Sequence, residues 1–113
     1  MPADLFERVI AKTLAQLPAA IREKLVHVSI LVEEQPPKGE DPDLLGLFLG
    51  VSYQEKIRNT QAGIDRIILF RKNLREMCSS DKELAAEIRK TLIHEIGHYL
   101  GLDEDDLVER GLE

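Results

Sequence analysis

His94 and His98, four residues apart with Glu95 directly after the first, are the positions in this chain whose types and spacing carry chemistry. On a helix that advances roughly 100° per residue they lie about 40° apart and one turn along, so both imidazoles can converge on a single metal ion. Glu95 sits beside them without being needed as a ligand. In the order His-Glu-x-x-His, two neutral imidazoles hold a zinc ion and the glutamate takes a proton from the metal-bound water, which is hydrolytic chemistry. The bare motif is short enough to arise by accident, and its surroundings are what strengthen it. A helical pattern leads into it, Gly101 follows three residues after His98, and the acidic run Asp103-Glu104-Asp105-Asp106 follows the glycine.

A glycine just past a helix can take the left-handed conformation that closes the last turn and reverses the chain. Glu104, three residues on, would then swing back toward the two histidines. Catalytic zinc sites commonly have three protein ligands and one open position for water, and two histidines with a glutamate is an accepted set. Glu104 is therefore the first choice as third ligand. Asp103, Asp105 and Asp106 are close rivals, because a shift of one residue in the turn changes which carboxylate faces inward. The remaining acids would accept hydrogen bonds from the outer ring nitrogens of His94 and His98, or simply form a solvated start to a last helix, where negative charge is favoured by the dipole.

These residues must be held by a helix with a second, apolar face. Ser80 with Glu83 three residues later is a capping-box pattern that starts this helix near Asp81, and Leu84, Ala85, Ile88, Leu92, Ile96 and Tyr99 fall roughly opposite the histidines. Gly97 costs about 1 kcal/mol against alanine in a helix interior and hints at close backbone packing or clearance for the site. Upstream, Ala3 to Leu17 reads as an amphipathic helix with Phe6, Val9, Ile10, Leu14 and Leu17 on one stripe, expected to lie on a sheet. Pro18 interrupts it, and Ala19 to Leu25 forms a short second piece. Val26 to Glu33 alternates as a half-buried strand, with Val26, Val28, Ile30 and Val32 facing inward.

Gln35 to Asp43, with three prolines, is a loop. Leu44 to Ser52 is an apolar strand interrupted by Gly46 and Gly50, where something approaches the backbone closely or the sheet bends. Such an edge could pair with an extended substrate through main-chain hydrogen bonds, although a glycine-containing core strand is the plainer reading. Tyr53 to Gly63 is polar and irregular or weakly helical. Asp65 to Phe70 is a short buried strand, Arg71 to Met77 adds a helical turn, and Asp103 to Arg110 can make a last short helix. His27 lies outside the motif and reads as a strand-surface residue. Tyr53 and Tyr99 read as packing residues rather than oxyanion donors.

Composition bounds the rest. The chain has 113 residues, 43% hydrophobic and 32% charged, which suits one compact domain spanning 1–113 with a modest core. The net charge of -6 argues against a nonspecific phosphate-binding surface, so nucleic acid is a poor partner. Cys78 stands alone, which excludes an internal disulfide and points to a reducing cytoplasm. Neither a signal peptide nor an apolar run approaching about 20 residues is present, so no membrane association is expected.

Over nearly its whole length, and most specifically from His94 to Asp106, the sequence resembles the small bacterial zincin-like metallopeptidase domain, a minimal relative of metzincin and snapalysin-type proteases. In those proteins the pattern runs His-Glu-x-x-His-x-x-Gly-x-x-His or Asp. The resemblance makes His94 and His98 the first two metal ligands, Glu95 the general base, Gly101 the turn glycine and Glu104 the third ligand, with glutamate replacing the family's His or Asp. It implies an α+β fold: an N-terminal backing helix, a small twisted, mainly three-stranded sheet, the motif helix beneath it and a short C-terminal helix. One departure bears on activity. Metzincins carry a methionine turn beneath the metal, whereas none of the 12 residues after Gly101 is Met.

The leading expectation is a zinc-dependent peptidase acting on a peptide or protein substrate through Glu95, with a monomer plausible and the oligomeric state left open by the sequence. The alternative is a noncatalytic zinc-binding or interaction module with a degenerate cleft, in which the metal stabilises a small domain. A metal-dependent ribonuclease with a related three-histidine helix motif fits less well, given the acidic charge and the absent third histidine.

Overall fold

The computed structural model describes residues 4–50, 65–102 and 105. The elements in chain order are α1 (Leu5–Gln16), α2 (Ala19–Lys24), β1 (Val28–Glu33), β2 (Gly46–Leu49), β3 (Asp65–Phe70), α3 (Arg71–Glu76) and α4 (Asp81–Leu100). The three strands form one mixed sheet in the order β1-β3-β2, with β1 parallel and β2 antiparallel to β3. This is an α+β arrangement. Of the expected short helix from Asp103 to Arg110 only Asp105 is described, and it is helical; the segment from Tyr53 to Gly63 lies outside the described residues.

The central strand is the most apolar one, as burial on both faces requires. In β3, Asp65, Ile67, Ile68, Leu69 and Phe70 are all buried and Arg66 alone is exposed. β1 keeps the expected alternation: Val28, Ile30 and Val32 are packed against the core while Leu31 and Glu33 are exposed. It begins two residues later than the alternation predicts. The Val28 amide donates to the Leu25 carbonyl at 3.0 Å, closing a turn that places Val26 in solvent, 72% exposed.

α1 starts where Asp4 caps it, its Oδ1 accepting the Glu7 amide at 2.9 Å. Its Phe6 is fully buried, and Val9, Ile10 and Leu14 are partly buried against the same core. The helix contacts α4 more extensively than any strand, where the sequence reading laid its stripe on the sheet. The three short strands among the described residues are too few to cover a twelve-residue helix, and the motif helix supplies the remaining apolar surface. Pro18 breaks the helix as expected, and α2 follows at once.

A crossing explains α3. β1 ends beside Phe70 and β2 begins beside Leu69, at opposite edges of the sheet, so the proline-rich loop between them must pass over the end of β3. The first residues of α3 tie both ends of that loop. The Lys72 amide donates to the Glu34 carbonyl at 3.0 Å, and Asn73 Nδ2 donates to the carbonyls of Pro42 at 2.8 Å and Leu44 at 2.7 Å. Arg71 adds ion pairs of 3.3 Å to Asp4 and to Glu34 and lies over the Phe6 ring at 5.2 Å. No helix among the described residues is long and apolar enough to cross a membrane.

Candidate metal centre

α4 is fixed at both ends by the residues the sequence singles out. Ser80 Oγ accepts the Glu83 amide at 3.1 Å, and Glu83 Oε2 reaches back to the Ser79 amide at 2.8 Å, one residue earlier than an ideal capping box. At the other end Gly101 takes φ 73° and ψ 27°. Its amide donates to the His98 carbonyl at 3.1 Å and that of Leu102 to the Gly97 carbonyl at 2.8 Å, the paired bonds of a Schellman turn. The glycine thus closes the helix one turn after the histidines and reverses the chain, as its position predicts.

Between these ends the helix is buried more completely than a two-faced pattern implies. Within Thr91–Tyr99 every residue is buried except His94 and His98. The expected apolar face from Leu84 to Tyr99 is in the core, but Ile93, Glu95 and Gly97 are covered as well. The two imidazoles therefore emerge through a gap in an otherwise enclosed surface. Their ring centroids are 4.5 Å apart with the planes at 68°. The Glu95 carboxylate, 8% exposed, lies beneath them, with Oε1 3.2 Å from His98 Nδ1. In the tautomer that carries its proton on Nδ1, His98 donates to Glu95 Oε1 and keeps the Nε2 lone pair for a metal.

The ligand atoms of His94, Glu95 and His98 all lie within 4.8 Å of one another. Imidazole nitrogens suit zinc at about 2.0–2.1 Å, so the donor set fits that ion, and the solvent-exposed side of the rings leaves room for water. Asp105 is exposed and does not join this group, nor does His27. Asp103, Glu104 and Asp106 lie outside the described residues, and so does Tyr53.

Facing the histidines across a cleft of about 410 Å³ is the backbone of residues 44–48, with Thr91, His94, Glu95 and His98 on the other side. β2 is an edge strand, and among the described residues nothing pairs with its outer side. Gly46 is where the two sides meet. A Cβ there would sit 2.8 Å from Thr91 Cγ2 and 3.2 Å from Glu95 Cγ. The close backbone approach read from the sequence is thus the approach of the motif helix itself. Phe48 meets Tyr99 edge to face at 5.6 Å, and the Tyr99 hydroxyl donates to the Lys24 carbonyl at 3.1 Å, so Tyr99 packs rather than facing the cleft.

Thr91 and Asn73 were not legible as contributors. Thr91 carried a signal, since it stands one turn before Glu95, but Asn73 in a short polar helix carried none. Cys78 is no activated nucleophile: burial, with Glu87 and Glu83 nearby, pushes its thiol above the ordinary range.

A family model for zincin-like metallopeptidases matches residues 25–112, and the chain belongs to that family. Among solved structures, a conserved hypothetical protein from Thermus thermophilus is similar in fold, with a TM-score of 0.57 and 21% identity over 93% of this chain and 95% of that one. No curated protein matches.

Proposed function

We propose that this protein is a zinc-dependent peptidase that hydrolyses a peptide bond of an extended peptide or unfolded protein segment. The observation carrying this reading is the convergence of two exposed imidazoles and one buried carboxylate on one side of a cleft, whose other side is formed by a strand that no described residue pairs on its outer edge.

His94 and His98 would hold the metal, with Glu104, or one of its neighbours Asp103 and Asp106, as third ligand. When bound, zinc supplies a Lewis acid for the scissile carbonyl and an acidified water. Glu95, buried beside the two rings, would be the group that takes a proton from the attacking water and delivers it to the leaving amine. Its burial holds the carboxylate in place below the rings, and the Gly46 approach limits its movement away from them. The substrate lies along β2, its backbone pairing with the outer edge of residues 46–49. Alternate substrate side chains then meet the apolar side chains of the cleft.

The test is to incubate the zinc-loaded protein with a diverse peptide library, alongside Glu95→Gln. Loss of general-base catalysis lowers turnover by about 10²–10⁴-fold, with zinc content unchanged. Cleavage that survives Glu95→Gln refutes the assigned base. Tight zinc binding with no cleavage of any peptide replaces this reading with the noncatalytic zinc module.

A further inference from the structure

We propose that Asn73, remote in sequence from the motif, is a positioning residue that fixes the entrance of β2 so that its edge can receive substrate. The inference rests on the proposed binding of substrate along that edge. Its structural half stands separately.

The side-chain amide of Asn73 donates both hydrogens, to Pro42 at 2.8 Å and to Leu44 at 2.7 Å. Both partners are carbonyls, so only a group with two donors satisfies the arrangement. The next carbonyl, that of Leu45, accepts the Phe70 amide at 3.0 Å, which is the last rung joining β2 to β3 before the loop. Leu44 and Leu45 also line the cleft beside His94 and Glu95.

The order of these contacts gives the clamp its leverage. Upstream of Pro42 the chain is exposed loop, carrying Gly39 at φ 102° with no heavy atom near the place of a Cβ. Downstream, β2 is four residues long and, among the described residues, has a partner on one side only. A short edge strand preceded by an exposed loop, whose own bonds are local turns such as that of the Leu44 amide to the Asp41 carbonyl at 3.3 Å, frays readily from that end. The Asn73 amide stops the fraying at the point where the loop becomes strand. Because α3 follows β3 directly, the clamp is referenced to the central strand, the same element against which Gly46 and Glu95 are set.

Replacing Asn73 by Asp keeps the shape and turns both donors into acceptors facing carbonyl oxygens. The proposal is tested on the zinc-loaded full chain by amide hydrogen exchange and by steady-state cleavage of a peptide that the wild type cuts. In Asn73→Asp the Phe70 amide exchanges at least about tenfold faster, following the opening of β2. The Lys72 amide, bonded to Glu34 on the opposite edge, keeps its rate, whereas general loosening of the fold would speed both. KM rises about tenfold while kcat stays within about threefold, because binding along the edge is lost and the proton-transfer group is not. Asn73→Leu, which removes the donors without adding charge, gives the same pattern and guards against misfolding of the charged variant.

Unchanged Phe70 exchange in both variants overturns the clamp. Faster exchange with an unchanged KM overturns its role in substrate binding. If the wild type cleaves no peptide, the peptidase reading and the substrate role fall together, and exchange still decides the clamp.

Discussion

Gly46→Ala is the sharpest probe of how the sheet and the motif helix share one space. The backbone there does not have positive φ, so alanine meets no conformational penalty and its cost is steric. The new Cβ would stand 2.8 Å from Thr91 Cγ2, 3.2 Å from Glu95 Cγ and 3.4 Å from the Ile68 carbonyl oxygen. Carbon atoms at rest sit about 3.5–4.0 Å apart, so the deficit at Thr91 is at least about 0.7 Å. Thr91 is buried and β-branched, and in a helix its side chain has few rotamers to escape into. The relief must come from β2 and α4 moving apart. Overpacking of this kind costs about 1–3 kcal/mol, and the restricted unfolded chain of alanine returns about 0.4–1 kcal/mol. A net loss of about 1–2 kcal/mol is expected from urea unfolding followed by circular dichroism. Thr91→Ser removes the obstructing methyl, so Gly46→Ala/Thr91→Ser should recover most of the loss, with a coupling of about 1 kcal/mol in the double-mutant cycle. Stability of Gly46→Ala within about 0.3 kcal/mol of wild type, or a cycle with no coupling, would refute the steric argument.

Two further perturbations test the ends of the helices. Gly101→Ala forces a Cβ into the left-handed region at φ 73° and should lower stability by about 1–2 kcal/mol in the same unfolding assay. At Asp4, the Glu7 amide, assisted by Arg71, holds the carboxyl below its ordinary value of 3.8. A depressed folded-state pKa gives stability that is fully present above the ordinary value and is lost as pH falls through the folded one. Asp4→Asn, which keeps a capping oxygen but loses the charge facing Arg71, should therefore be less stable than wild type at neutral pH, converge with it in acid, and show a flatter acid decline. Urea midpoints taken between about pH 5 and 2 will check this.

The sequence legibly encoded features that are local. The Ser80 and Glu83 pair, the apolar spacing of α4 and the glycine after it set both ends of the motif helix, because caps and turns depend on residues a few positions apart. The apolar run from Ile67 to Phe70 marked a short buried strand, and the structure puts it at the centre of the sheet. Gly46 announced a close approach without naming what approaches, since a missing side chain records a neighbour but not its identity. What stayed hidden depends on distant segments. Val26 continues the strand alternation yet sits in a turn, because the end of α2 sets where the chain can enter the sheet. The stripe of α1 shows an apolar face but not whether a sheet or another helix covers it. Asn73 is an ordinary polar residue until the crossing loop lies beside it. The burial of Glu95 was hidden for the same reason, since only the packing of β2 onto α4 encloses it.

The two histidines are the only exposed positions in the stretch from Thr91 to Tyr99. Their replacement empties no cavity, and of the two only His98 has an enclosed polar partner, the Glu95 carboxylate, so a variant that keeps a hydrogen-bond donor at position 98 should remain a folded protein. The reactive capacity of this helix is thus separable from the architecture that bears it: different donor atoms at these two places would recruit a different ion onto an unaltered scaffold.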